Sequence, residues 1–343
     1  MKTFKSFLKE SDSIDYFLFQ LMLEDAKPTK ASPDTKGKLH EILVGYHLLN
    51  EKHMSKHPDK EGDSPEEAHD KLKSTISPEE YDKIDKRAKS AAEDIKKQVE
   101  VNGHKISDVH WTSKPGDIER STGIESTQKQ DASDIVVHTK KKNGPPSFHG
   151  VSLKVSDGSS KHVPASNPGM ESTHGGQFIL DDHRKGILRD YPEIKSMSVK
   201  QRKEHMKNNP EMERDIKEGN IVALHRIAGH LKERLDNMDH DELIHHIKTH
   251  VLQTNPTPMQ EMGHNHIRHT TYVSKGKNVH DSIDPSKHWE HIFKDPSKIS
   301  IQHKGSSIHF LHNGKKFASH RIKFNSQSDP LSAVKGSGIA VGD

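Results

Sequence analysis

The sequence contains no cysteine. Disulfides and thiolate metal sites are excluded, and the chain fits a reducing compartment. Apolar residues are scarce, 29% of 343 residues against 30% charged. The core must therefore be compact, with much of the chain in solvated helices, loops and insertions. No apolar run approaches the ~20 residues of a membrane span. The most apolar, residues 16–23, is far too short, and Met1-Lys2-Thr3-Phe4-Lys5 lacks the apolar stretch and cleavage site of a signal peptide. A soluble, cytoplasmic protein without a membrane partner is expected. A strong excess of either charge is also missing: 53 Lys and Arg face 50 Asp and Glu, a net +3. That does not indicate a general polyanion binder, and any basic surface must be local.

Histidine is what the chain has in plenty, 29 residues spread from His40 to His320. Such dispersion points to use as a surface polar residue. Two clusters have metal-ligand spacing. His245-His246-x3-His250 lies on an expected helix, and His264-x-His266-x2-His269 in an expected turn region. The first lacks a glutamate general base between its histidines, so it is no zinc-protease motif; a zinc site is the alternative at either.

Read in order, residues 1–34 form an N-terminal helical segment and linker, in which 16–23 is apolar nearly all round. It either packs on the main body or docks a protein partner or second copy. A helix follows from Thr35 or Lys36 to Leu49, its stripe set by positions 39, 42, 43, 46 and 49, with Glu41 beside it. A carboxylate there is costly unless it reaches solvent, is paired or binds a metal. Residues 50–102 read as a charged helical insertion. Ser64-Pro65-Glu66-Glu67 and Ser77-Pro78-Glu79-Glu80 each open a surface helix as a capping box. Strands are expected at 104–112, 134–139 and 149–155, with 113–131 a polar loop and 156–176 a mobile one. A helix spans 178–191, and 192–254 is helical. Residues 255–343 are β-rich, with strands at 299–303, 308–312 and 316–325 joined through Gly305-Ser306 and Asn313-Gly314, and a tail after Ser326 that is partly ordered at best.

Gly150-Val151-Ser152-Leu153-Lys154-Val155 is the stretch around which the rest is organised. Its alternation gives a strand with two unlike faces. If it pairs with the run that opens at Asp134, then Asp134, Ser152 and Lys154 converge. An acid and a lysine on adjacent strands are the minimum for holding a divalent metal beside a phosphate. Asp131 is the rival acid, set further from its strand. Each residue also has an ordinary explanation: a strand-entry turn for Asp134, a solvated face for Lys154.

Gly37-x3-Glu41 on the first helix, Ser133-Asp134 before an apolar strand and Ser152-x-Lys154 on the next resemble the PD-(D/E)XK phosphodiesterase superfamily, the fold of many restriction endonucleases and phage exonucleases. The resemblance covers about residues 35–190. It implies an α/β protein with a restriction-endonuclease-like mixed sheet core within 35–191, flanked by helices and followed by the helical and β-rich parts. It further implies Mg²⁺- or Mn²⁺-dependent hydrolysis of DNA, with Glu41, Asp134, Ser152 and Lys154 in the catalytic set. Glu41, Asp134 and the Leu153 carbonyl would hold the metal. The family's usual acid two residues before the lysine is Ser152 here, which removes one metal carboxylate. Lys140, Lys141, Lys142, Lys161 and Gln177 are the expected nucleic-acid contacts, with Asp157 and His162 also near the site. A phage nuclease in host cytoplasm is the expected source. The rival is a non-catalytic phage structural, assembly or DNA-binding protein that keeps a nuclease-like core.

Overall fold

The computed structural model describes residues 32–56, 62–127, 130–156, 162–166, 176–274 and 276–341, with the backbone course alone for 162–166. Residues 16–23, Asp157 and Lys161 lie outside the described residues, as does the His162 side chain.

Helix α1 (Pro33–Leu48) starts where Ser32 Oγ accepts from the Thr35 N–H, with proline in its first turn. Leu39, Ile42, Leu43, Val44 and Leu48 form its buried face. Helices α2 (Pro65–Lys73) and α3 (Pro78–Val99) begin at the two Ser-Pro-Glu-Glu sites. Ser64 makes the full reciprocal box, whereas at Ser77 only the hydroxyl bond to the Glu80 N–H forms. Helix α3 is not the surface helix expected from its charge. Ile84, Ala88, Ala91, Ala92, Ile95 and Val99 are buried in one core with α1. Three of these six are alanines, which contribute little apolar area to a sequence reading yet make a full stripe at helical spacing.

Strands β1 (Lys105–Trp111), β2 (Ile135–Lys140) and β3 (Pro146–Ser156) follow. The stretch expected to be loop between β1 and β2 contains helix α4 (Asp117–Thr122), set off at each end by a left-handed glycine, Gly116 and Gly123. Then come β4 (His162–Ser166), β5 (Asn265–Ser274), β6 (Lys277–Ile283), β7 (Ile299–Lys304), β8 (Ser307–His312), β9 (Lys315–Phe324) and β10 (Val334–Val341). Two five-stranded sheets result, ordered β1-β2-β3-β5-β6 and β4-β10-β9-β8-β7. The first is mixed, because β3 and β5 run parallel; the second is antiparallel throughout. The fold is thus mixed α/β. His264–His269, expected in a turn region, instead enters β5, and the tail after Ser326 supplies β10. Neither strand shows clean apolar alternation: β5 reads NHIRHTTYVS, and β10 carries Gly336 and Gly338.

Between β4 and β5 lie helices α5 (Gln177–Asp190), α6 (Val199–Lys207), α7 (Pro210–Asp236) and α8 (His240–His246), the last running on as a π-helical turn, Ile247–Leu252. Ile227, Ala228 and Leu231 of α7 pack in one core with Ile308, Phe310, Ala318, Ile322, Phe324 and Ala340 of the second sheet. Val109, Ile135, Val137, Val151 and Leu153 of the first sheet join the α1–α3 core. Among the described residues no helix is long and apolar enough to cross a membrane.

The middle of β3 is tightly enclosed on its other face. A methyl group on Gly150 would lie 2.3 Å from Ser133 Oγ, 2.5 Å from Met259 Cε and 3.1 Å from His266 Nδ1. Met259 can yield, but Ser133 is held by Asp131. Gly150→Ala is therefore expected to lower stability by about 2 kcal/mol in chemical denaturation. A variant as stable as the wild type would show that this packing gives way.

Candidate active site

Asp134 stands just before β2, and its backbone is fixed on both sides. Its N–H donates to the Val151 carbonyl at 2.9 Å, and its carbonyl accepts from the Thr112 N–H at 3.1 Å. The side chain turns toward β3. Oδ2 accepts from the Leu153 N–H at 2.6 Å, from Lys154 Nζ at 3.3 Å and, at 3.5 Å, from Ser152 Oγ. The acid and the lysine are thus brought together, each with a side chain 24% exposed, which leaves both accessible to a ligand. All three bonds fall on Oδ2 and leave Oδ1 free of these donors.

The Leu153 contact also orients a second oxygen. In an extended strand the N–H and C=O of one residue point to the same edge. The Leu153 carbonyl therefore lies on the Asp134 side, beyond Ile135, where the β2–β3 ladder ends.

Glu41, in the middle of α1, accepts a 3.0 Å hydrogen bond on Oε2 from Trp111 Nε1. Trp111 is the last residue of β1 and pairs with Ile135, next to Asp134. Burial first, and then the charge of Asp134, push the Glu41 carboxyl up to about 8, against the Trp111 bond, Lys154 and Lys38, which act in the opposite direction. Glu41, Asp134 and Lys154 therefore belong to one electrostatic neighbourhood. Two carboxylates that repel each other beside one lysine suit a hard cation.

The donor set fits Mg²⁺ or Mn²⁺: two carboxylates and a carbonyl, all oxygen, with solvent completing the shell. Among the described residues no group of three or more His, Asp or Glu side chains is arranged to hold a metal. Asp131 serves elsewhere. It is fully buried, and its Oδ1 accepts from Ser133 Oγ at 2.5 Å and Ser133 N–H at 3.0 Å. His266 Nδ1 lies 3.6 Å from the same oxygen.

Ser152, 2% exposed, has Arg268 of β5 as its register partner. Arg268 is 4% exposed and donates to the carbonyls of Leu252 at 2.5 Å and Gln253 at 3.4 Å, at the end of the π-helical turn. It lies against the Trp289 ring. Burial lowers its guanidinium to about 10.

Lys140, Lys141 and Lys142 are exposed at the far end of β2, about 20 Å along the strand from Asp134. Gln177 opens α5 and bonds Asp181 at 2.7 Å. Trp111 was legible as a strand residue, but its tie to Glu41 joins positions 70 apart and has no local signal. Arg268 had none either, since a lone arginine in a polar strand reads as exposed.

Glu41 yields a stability test. Its folded-state pKa exceeds the unfolded value, so the folded state keeps a proton that the unfolded state loses, and stability falls as pH rises from 4.5 to about 8. Glu41→Gln removes that burden. In EDTA near neutral pH the variant should be more stable by about 2 kcal/mol, the shift being discounted for partial exposure. An unchanged or lower melting temperature would mean that Glu41 carries no such burden.

No family model, no curated protein and no solved structure matches the chain.

Proposed function

We propose that the chain is a divalent-metal-dependent phosphodiesterase that hydrolyses DNA, built on a restriction-endonuclease-like core of α1, β1, β2, β3 and β5. One observation carries the proposal: the Asp134 carboxylate reaches across to β3 and holds both the Leu153 N–H and the Lys154 ammonium. An isolated strand-entry aspartate needs neither partner. The raised Glu41 carboxyl beside this pair supports it, because a site that keeps two acids close in the absence of a cation is one that favours binding it.

Glu41, Asp134 and the Leu153 carbonyl would hold the metal. When bound, Mg²⁺ supplies Lewis acidity toward a phosphoryl oxygen and lowers the pKa of its water. Lys154 carries a charge fixed in direction by Asp134; it would orient the attacking water and stabilise charge that develops on the phosphoryl group. Trp111 positions Glu41. Ser152 offers a hydroxyl where the family places an acid, so the site has one fewer negative charge.

Ser152 also favours a second reading. With Arg268 buried beside it, the position is filled by a neutral donor and a cation, as in a core that has lost hydrolysis and serves assembly or DNA binding. Purified protein with plasmid and linear DNA, with Mg²⁺, Mn²⁺ or EDTA, separates the two. Nicking or degradation with either metal, absent in EDTA, is the expected result. Intact DNA in every form with both metals would leave the second reading.

A further inference from the structure

The five strands of the second sheet contain not one acidic residue. The whole chain carries 50 acids among 343 residues, so charge has been segregated here. The segregation continues through the turns, since Asp295 is followed by no Asp or Glu until Asp329. The strand register shows where the cations lie. Directly paired residues on antiparallel strands share a face. Ile308, Phe310, Ala318, Ile322, Phe324, Val334 and Ala340 take the inner face, in the core with α7. The outer face carries, row by row, Lys323 opposite Lys335, then Lys304, Ser307, Arg321 and Ser337, then Gln302, His309, Ser319 and Ile339, and last Ser300, Leu311 and Lys316.

None of Lys304, Lys316, Arg321, Lys323 and Lys335 has an acidic partner among the described residues. Lys323 and Lys335 stand directly opposite each other, an arrangement that destabilises a sheet unless an anion comes between. Burial, Lys335 and Arg321 hold the Lys323 ammonium below its usual range. Between the cations stand the half-buried Ser307 hydroxyl and the exposed Gln302 amide, which donate to phosphate as lysine and arginine do, while Ser319 and Ser337 are buried. No Phe, Tyr or Trp occupies the face. It therefore offers neither a stacking platform for unpaired bases nor aromatic anchors for a bilayer.

We propose that the outer face of the second sheet binds the phosphate backbone of double-stranded nucleic acid without reading its sequence. Successive same-face residues on one strand are about 6.8 Å apart, and neighbouring strands about 4.8 Å, so the cations form a grid on which a polyphosphate backbone can be tracked. The partner is the polymer class of the proposed substrate, but the inference rests on charge and register alone and needs no chemistry at Asp134.

The test is binding of a short fluorescent DNA duplex in EDTA, across a salt series. Five phosphate contacts give a slope of log K against log salt of about −4 to −5. Arg321→Glu/Lys323→Glu/Lys335→Glu should weaken binding about a hundredfold and make the slope shallower by about 3. Lys304→Glu/Lys316→Glu, at the other side of the sheet, should weaken it about tenfold. Lys323→Gln/Lys335→Gln guards against a folding artefact: it should melt no lower than the wild type, because it relieves repulsion, and still bind more weakly. Wild-type affinity in all three variants overturns the proposal. So does binding to phosphatidylserine vesicles without duplex binding, which would assign the face to lipid headgroups. Duplex binding in EDTA by a wild type that cleaves nothing with Mg²⁺ would leave this face standing and sink the nuclease.

Discussion

Under the proposed chemistry, Asp134→Asn and Lys154→Met are each expected to reduce metal-dependent DNA cleavage by about a hundredfold to a thousandfold, the size expected when one preorganised charge is removed from a transition state. The choice of variant follows from the contacts. Asp134→Ala would strand the Leu153 N–H, which donates to Oδ2 at 2.6 Å, and an unsatisfied buried donor costs about 1–3 kcal/mol. Asparagine keeps an oxygen there and removes the charge. The two variants should also fail differently. Loss of Asp134's charge weakens metal binding, so high Mg²⁺ should restore part of the activity. Loss of Lys154 leaves both carboxylates in place, so added metal should restore none, and without the competing ammonium the metal should bind at least as well. Kinetics over a Mg²⁺ titration, with melting curves for folding, read both outcomes. Full activity in either folded variant would remove that residue from the proposed chemistry.

Mild acid should unfold the protein, and histidine is the reason. His149, His246 and His269 are 5%, 5% and 0% exposed, and burial lowers each to about 4. Neighbouring cationic groups push the same way: His104 and His264 on His149, His250, Arg234 and His245 on His246, and His280 on His269; Asp94 opposes the shift at His269. Each folded-state pKa lies below the unfolded value of 6.5, so the unfolded state takes up protons first as pH falls. The stability these neutral rings contribute is complete above 6.5 and is lost progressively from 6.5 down to about 4. By about pH 5 each costs the fold about 2 kcal/mol, so three together exceed the lower end of a typical domain's total stability, about 5 kcal/mol. Glu41 works against the trend, since its proton is already in place, but as a single group it offsets only part. Circular dichroism from pH 8 to pH 4 should show cooperative loss of structure setting in between about 6 and 5. An unfolding midpoint below 4 would mean that the buried imidazoles are better solvated than their packing implies.

Residues close in sequence were the legible ones. Ser152-x-Lys154 shows its alternation within six residues, and Asn313-Gly314 announces its hairpin through two positive-φ positions, Asn313 at 52° and Gly314 at 76°. The α1 stripe and both Ser-Pro-Glu-Glu starts were likewise local. Legibility failed where pairing is distant or apolar content is disguised. The mixed sheet depends on β5, whose Asn265 lies 116 positions from its register partner His149 in β3, and nothing in either strand names the other. β10 hides behind glycines, and α3 behind alanines and charge. The basic face was invisible for another reason: the overall charge is nearly balanced, and only the alternation of β7 to β10 sorts cations to one side.

The order of strands has a consequence for how the chain comes off the ribosome. β4 is made early, yet its neighbour in the second sheet is β10, which occupies residues 334–341. The first sheet likewise waits for β5 and β6 before β3 gains its parallel partner. A nascent chain stopped in α7 would expose an open β3 edge and an orphaned β4 together, so each half of the molecule acquires its final shape only when the other has been synthesised.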